Sequence, residues 1–139
     1  MGQYPEIGEE FDLTLDGNDP KAQPLVMVEN HGFGKWKHDG PLVKGRQTQK
    51  FKLIQKGGSW KEIGGVVGND LSGQWLGAFW HQFPESDGEH LVGVHDASWM
   101  PPYGSICFPY VDRHYGGRLG FQQADYYYCG RWLWLVLVK

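Results

Sequence analysis

The C-terminal segment, residues 126–138, is apolar on both faces of an extended strand. Its two alternating sets of side chains are Tyr126, Tyr128, Trp132, Trp134, Val136 and Val138 on one phase, and Tyr127, Cys129, Leu133, Leu135 and Leu137 on the other. Successive side chains of a strand point to opposite faces, so a strand with two apolar phases needs cover on both sides. The pattern therefore predicts a central strand, with a bend at Gly130.

The composition agrees with a fold of many short strands. The chain has 139 residues with 21 Gly and 8 Pro, 15% of its residues are aromatic, and only 21% are charged. Such a composition is typical of turn-rich domains that pack large rings between strands. The length predicts a single domain over residues 1–139, in which residues 1–10 form a flexible N-terminal arm.

Shorter apolar segments mark further strands along the chain. The predicted strands are residues 11–16, 25–28, 48–55 and 105–111. The first ends in the turn sequence Asp16-Gly17-Asn18-Asp19, whose residue types favour turns. Pro109 cannot donate a backbone hydrogen bond, so we expect the strand that contains it to lie at a sheet edge or to carry a bulge.

The middle of the chain predicts a hairpin and, with the other strands, an all-β fold. Residues 74–83 and 89–95 are interpreted as two strands joined by the turn at 84–88. Spacing of 3.6 residues is never sustained, so we expect little or no helix. We therefore predict a single-domain antiparallel β-sandwich, with a barrel as the alternative.

A Pro-rich loop, residues 99–104, comes after this hairpin and is a candidate contact surface. It contains Trp99, Pro102 and Tyr103, and Tyr110 and Tyr115 lie shortly beyond it. Amphipathic rings of this kind suit sugar faces, choline headgroups or a membrane interface. We predict that Trp99, Tyr103 and Tyr110 are exposed close to one another.

A basic segment between residues 35 and 61 offers the charges for such a surface. It carries Lys35, Lys50 and Lys52 among its cations, and Asp39 is its only acidic residue. Basic segments can bind anionic lipid, sulfated glycan or nucleic acid, although nucleic acid is not expected here. The alternative is a solvated strand face. The full set of predicted ligand-binding residues is Trp99, Pro102, Tyr103, Tyr110, Tyr115, Lys35, Lys50 and Lys52.

Catalysis and metal binding are weighed against a structural role for the same residues. The candidates are His81, His90, His95, His114, Asp96, Asp112 and Cys107. His90 and His95 differ by an odd number and so face opposite sides of a strand, which argues against a shared metal site. No nucleophile signature accompanies Cys107. We predict no catalytic residue, no metal and no cofactor.

The two cysteines, Cys107 and Cys129, leave a disulfide and free thiols open. The first residues lack the basic and apolar regions of a signal peptide, and no run is long enough to span a membrane. We therefore expect a soluble chain whose thiols are free and mostly buried. Its location is left open between release from the cell and a place in a virion.

Four short motifs carry a family resemblance within residues 25–115. They are the strand that ends in Asn and Gly at 26–32, Gly-Lys-Trp at 34–36, Gly-Val-His-Asp at 93–96, and the Pro, Tyr and Gly loop at 101–105. Their order resembles the aegerolysin and actinoporin-like β-sandwich proteins, a group that includes the fungal fruit-body lectins. The resemblance implies recognition of membrane lipid or glycan, sometimes with formation of oligomeric pores alongside a partner protein.

Three functional classes are compatible with these patterns. The first is a non-enzymatic, lipid- or glycan-binding β-sandwich that acts as an oligomer, such as a cytolysin or lectin component. The second is a virion structural or assembly protein, in which the Pro-rich loop would be a subunit interface. The third is a small hydrolase or metal enzyme, which would have to bring His95, Asp96, Cys107 or His114 within hydrogen-bond reach of one another.

Overall fold

The computed structural model describes residues 4–29, 31, 34–113 and 117–139. Its strands are β1 (Phe11–Asp16), β2 (Lys37–His38), β3 (Arg46–Gln55), β4 (Gly58–Ser59), β5 (Leu91–Gly93), β6 (Trp99–Met100), β7 (Cys107–Val111), β8 (Leu119–Gln123), β9 (Tyr127–Tyr128) and β10 (Trp132–Leu137). Its helices are a short 3-10 turn (Pro20–Ala22), α1 (Pro24–Met27), α2 (Trp60–Val67) and α3 (Gln74–Gln82). Within these ranges, no helix is long and apolar enough to cross a membrane.

One mixed sheet organises the fold. Its strand order is β1-β3-β10-β5-β7-β6-β2, β8 pairs with β7, and β4 and β9 form a separate two-stranded sheet. The prediction of a mainly-β domain is confirmed. However, β10 and β5 run parallel, which departs from the predicted antiparallel arrangement. In the described part of the chain, helices cover the faces of the sheet where a sandwich would place a second large sheet.

The predicted C-terminal strand, residues 126–138, is confirmed only in part. Its second half forms β10 in the centre of the sheet, but β9 pairs with β4 in the separate two-stranded sheet. β10 pairs with β3 on one side and with β5 on the other. Leu133 and Leu135 belong to the core on one face, and Trp132 and Trp134 belong to the core on the opposite face. Both phases of the strand are therefore covered, which is why both are apolar.

Helix α3 occupies the segment predicted as the first strand of the hairpin. Its side chains Trp75, Leu76 and Phe79 are buried against the sheet, and their spacing puts them on one side of a helix. The helix start is held by a distant partner, because the Asp96 carboxylate accepts a hydrogen bond from the Gly73 N–H at 2.7 Å. The predicted hairpin is therefore wrong, and only its second half contains a strand, β5.

Helix α2 covers the opposite face of the sheet. Ser59 Oγ accepts a hydrogen bond from the Glu62 N–H at 3.2 Å, and Glu62 Oε1 accepts one from the Ser59 N–H at 3.1 Å. This reciprocal pair is a capping box that starts the helix. Below it, Ile63 joins the buried ring cluster on that face. With α3, this helix contradicts the expectation of little or no helix, and α1 replaces the strand predicted at 25–28.

Other predicted elements are confirmed with small shifts. β1, the turn after Asp16, and β3 follow the predicted alternation, and in β3 Phe51 and Leu53 are fully buried. Pro109 does not lie in an edge strand, since β7 pairs on both sides. Its carbonyl accepts a hydrogen bond from the Val94 N–H at 3.3 Å, so its backbone faces the junction where β5 ends and β6 begins. A missing N–H is tolerated there.

Candidate ligand-binding surface

The Pro-rich loop connects β6 to β7, and its first residue is its anchor. Trp99 is fully buried, and its Nε1 donates a hydrogen bond to the Pro24 carbonyl at 2.9 Å. Its ring packs against Gly73, where an added Cβ would come within 2.4 Å of it. The prediction that Trp99 is exposed is wrong, because residues distant in sequence close over it. The loop therefore starts from a fixed base.

Beyond this anchor the loop turns outward. Tyr103 is 87% exposed, Met100 is 47% exposed, and Pro102 is also at the surface. At this exposure the Tyr103 ring makes few van der Waals contacts within the protein, whereas most tyrosines bury part of the ring. The loop thus presents one aromatic side chain to solvent from a rigid base.

Two lysines lie next to this loop. The Pro102 ring packs on Gly34, where an added Cβ would come within 2.9 Å of it, so Lys35 comes directly after a contact with the loop. Lys37 in β2 pairs with Met100 in β6. Both lysines are exposed. We define the loop surface as Lys35, Lys37, Met100, Pro102 and Tyr103.

The other two predicted lysines lie elsewhere. Lys50 and Lys52 are in β3, which is separated from β6 by β10, β5 and β7, or about 19 Å at about 4.8 Å per strand spacing. Lys50 Nζ lies 3.3 Å from an Asp12 carboxylate oxygen in the neighbouring strand. The two residues belong to a solvated strand face, which was the alternative considered, so of the three lysines expected near the exposed rings only Lys35 lies beside the loop.

Tyr110 belongs to a third location, a groove at the end of β7 and β8. The groove has a volume of about 330 Å³ and is lined by His31, Tyr110, Asp112, Arg118, Leu119, Gly120 and Phe121. The Tyr110 side chain is half-buried, with its ring centroid 5.4 Å from that of Trp132. Tyr115 falls outside the described residues. The sequence pattern identified Tyr110 but gave no sign of the strand pairing that forms the groove.

A buried polar cluster lies behind the loop surface. Asp96 accepts hydrogen bonds from the Ser98 hydroxyl and the Gly73 N–H, and burial raises its pKa. Burial lowers the pKa of His38 and of His95. The Asp96 hydrogen bonds join the start of α3 to the segment before β6, so the contacts of this carboxylate are those of a structural polar network.

The candidate catalytic residues are engaged with the backbone. His95 Nε2 lies 2.8 Å from the Trp60 carbonyl, and its ring stacks on the Trp60 ring at 3.6 Å. Cys107 donates its S–H to the Ser105 carbonyl at 3.3 Å, and burial raises the pKa of its thiol. A thiol with a raised pKa is a poor nucleophile at neutral pH. His114 falls outside the described residues.

Two further candidate histidines, His81 and His90, and the two cysteines complete the described candidates for catalysis or metal binding. His81 is exposed, and His90 Nδ1 lies 2.6 Å from an Asp87 carboxylate oxygen. Across the ranges that the structure describes, no three His, Cys, Asp or Glu residues are grouped to hold a metal. Both cysteines are free; Cys107 is buried, but Cys129 is exposed, which corrects the expectation of mostly buried thiols.

Comparison of the chain with protein-family models, curated proteins and solved structures finds no match. The resemblance to aegerolysins and fruit-body lectins therefore stays a hypothesis based on short motifs. The function of the chain is accordingly inferred from the geometry of its described residues.

Proposed function

We propose that this protein is a non-enzymatic binding domain that uses the loop surface to recognise an anionic ligand, either lipid headgroups or a glycan. The observation that carries the proposal is the 87% exposure of Tyr103 on a loop whose base, Trp99, is fully buried. An exposed ring on a fixed base can bind without first becoming ordered, which lowers the entropic cost of association.

The charges beside the ring support an anionic ligand. Lys35 and Lys37 are exposed on the same surface as Tyr103 and Met100. At a membrane, the ring and the thioether would enter the headgroup region while the ammonium groups attract anionic lipids, each contributing about 1 kcal/mol. On a sulfated or carboxylated glycan, the ring would stack on a sugar face and the lysines would pair with the anions.

The second candidate is an assembly protein in which the same surface binds another subunit. Its support is an apolar neighbour of the loop surface, because Ile106, 39% exposed, lies in the chain between the loop and β7. Together with Met100 it offers aliphatic side chains of the kind found in subunit interfaces. A subunit interface would bury Tyr103 in a stable oligomer without any added ligand.

The test measures binding of the wild-type chain to phosphatidylcholine vesicles with and without phosphatidylserine, and to an array of neutral and sulfated glycans. We expect Tyr103→Ala to weaken binding by about 2 kcal/mol or more, as the loss of an anchoring ring does. The double variant Lys35→Gln, Lys37→Gln should weaken it further and flatten its dependence on salt, because the Debye length is about 10 Å at 0.1 M.

The matched control is Lys50→Gln, Lys52→Gln, which removes the same charge from β3. This control should bind as the wild type does. Equal losses in the two double variants would show that net charge, and not the loop surface, drives binding. Light scattering on the same samples separates the second candidate: a stable oligomer that Tyr103→Ala dissociates favours assembly.

A further inference from the structure

Strand β2 is a short edge strand that carries part of the loop surface. It consists of Lys37 and His38, and β6 is its one neighbour in the described sheet. Lys37 is exposed and pairs with Met100, so its position on the loop surface depends on the pairing of β2 with β6. Short segments with few backbone hydrogen bonds open at a lower free energy than the whole domain unfolds.

His38 packs this strand against the base of the loop. It lies opposite Trp99 in the register of the two strands, and the two ring centroids are 4.5 Å apart. Its Nε2 atom is buried and has no hydrogen-bond partner among the described residues. In a neutral imidazole Nε2 can be an unprotonated acceptor, but in the imidazolium both ring nitrogens carry protons. Protonation therefore leaves a charged donor buried without an acceptor, which costs more than an unpaired neutral acceptor.

Two carboxylates act on the His38 ring. Burial lowers the pKa of His38, and the nearby carboxylates of Asp96 and Asp39 oppose this shift without cancelling it. Asp96 already accepts hydrogen bonds from Ser98 and Gly73, and Asp39 is exposed. The other elements that pack on β2 are α1 and β6, and neither contains a titratable side chain. The paired strand therefore favours the neutral ring.

We propose that β2 is a pH-sensitive switch of the loop surface: protonation of His38 releases β2 from β6 and withdraws Lys37 from its place beside Met100 and Tyr103. The released strand exposes the ring to water, so it takes up a proton near the ordinary histidine pKa of about 6.5. Release therefore increases as the pH falls from 7.5 to 5.5. The loss of ligand binding on acidification rests on the proposed function, because it is the regulation of that same surface.

The first experiment follows the free full chain by NMR at pH 7.5 and pH 5.5, so it needs no ligand. The readout is the set of cross-strand nuclear Overhauser contacts between Lys37 and Met100, which a histidine that titrates in place would leave intact. We expect the wild type to lose these contacts at pH 5.5. His38→Phe keeps a ring against Trp99 but cannot be protonated, so it should keep the contacts at both pH values.

The second experiment measures binding to phosphatidylcholine vesicles that contain phosphatidylserine at the same two pH values. We expect the wild type to bind about threefold or more weakly at pH 5.5, because a lysine near an anionic membrane contributes a factor of roughly five to affinity. His38→Phe should bind equally well at both. The matched control is His81→Gln, which removes an exposed histidine from α3 and should keep the wild-type decrease.

Three results would overturn the switch. The first is persistence of the contacts between Lys37 and Met100 in the wild type at pH 5.5. The second is the same loss of contacts in His38→Phe. The third is stronger vesicle binding at pH 5.5 that His38→Phe abolishes, since an imidazolium would then add its charge to an intact surface. Absence of vesicle binding at both pH values counts against lipid as the ligand of the loop surface, and the NMR contacts then decide the switch alone.

Discussion

At the scale of single residues, the contrast between Trp99 and Tyr103 explains the Pro-rich loop. Both are large rings within two residues of a proline. From the sequence, both are predicted to be exposed. Trp99 instead lies in the core with its Nε1 bonded to Pro24, while Tyr103 points to solvent. One ring therefore contributes to stability and the other is available for contact.

Replacing each ring separately tests this division. We expect Trp99→Ala to lower the free energy of unfolding by about 3 to 5 kcal/mol, because it leaves a cavity and an unpaired Pro24 carbonyl. Tyr103→Ala should change it by less than about 0.5 kcal/mol, as substitutions at exposed sites usually do. Urea denaturation of both variants measures the difference, and a large loss of stability in Tyr103→Ala would place that ring in the core.

The pKa shifts of His38 and His95 predict how the free energy of unfolding depends on pH. Burial lowers the pKa of His38 and His95 below the ordinary value near 6.5. The unfolded chain then binds more protons than the folded one, so these groups stabilise the fold above pH 6.5 and lose that contribution as pH falls toward their folded pKa. Asp96, whose pKa is raised by burial, works in the opposite sense, since its contribution falls as pH rises above about 4.

We expect the free energy of unfolding to decrease between pH 7.5 and pH 5.5, as the two histidines take up protons in the unfolded chain before they do so in the folded one. His38→Gln should show a shallower decrease than the wild type, because one of the two groups is gone. Urea denaturation at several pH values gives the slope. If His38→Gln and His95→Gln each keep the wild-type slope, other groups account for the pH dependence.

At the scale of elements, the two longer helices differ in how clearly local sequence patterns predict where they begin. Helix α2 begins with Ser59 and Glu62 in the spacing of a capping box, a local signal from which the helix could have been predicted. Helix α3 follows Gly73, whose N–H donates a hydrogen bond to Asp96 from a distant segment, and the Gln74 N–H donates one to the neighbouring Ser72 Oγ at 3.2 Å. No local sequence pattern predicts the contact between Gly73 and Asp96.

The capping box gives a prediction at this scale. Ser59→Ala should destabilise the protein by about 1 kcal/mol, since it leaves the N–H of Glu62 without its acceptor. Glu62→Gln keeps an acceptor for the Ser59 N–H and should be milder than Glu62→Ala. Thermal unfolding followed by circular dichroism ranks the three variants; equal stability of Ser59→Ala and wild type would mean that the hydrogen bond contributes nothing net.

At the scale of the whole molecule, the central strand joins the two cores. β10 carries Trp132, Leu133, Trp134 and Leu135, all buried, and it pairs with strands on both sides. Without β10 the sheet would split into two parts, because no other strand of the described chain joins β3 to β5. The fold therefore depends on its last residues.

Deleting residues 132–139 should prevent cooperative folding. Each large apolar side chain contributes roughly 1.5 to 3 kcal/mol when buried, and a domain is stable by only about 5 to 15 kcal/mol in total. The expected result is a truncated chain with no cooperative melt and low dispersion of its amide resonances. A truncated chain that melts cooperatively would contradict the central placement of β10. Substituting only Lys139, which is exposed, serves as the control.

Local sequence patterns were enough to predict the central strand, the alternation of β1 and β3, and the exposed tip of the Pro-rich loop. These features depend on residues that are neighbours in the chain, because side-chain alternation and turn chemistry are local properties. The spacing of Trp75, Leu76 and Phe79 on one side of a helix was also a local signal, and it was interpreted as a strand. Long-range packing instead buried Trp99 and put Lys50 far from Tyr103. Both outcomes depend on contacts between segments distant in sequence, Pro24 with Trp99 among them, and local patterns do not encode such contacts.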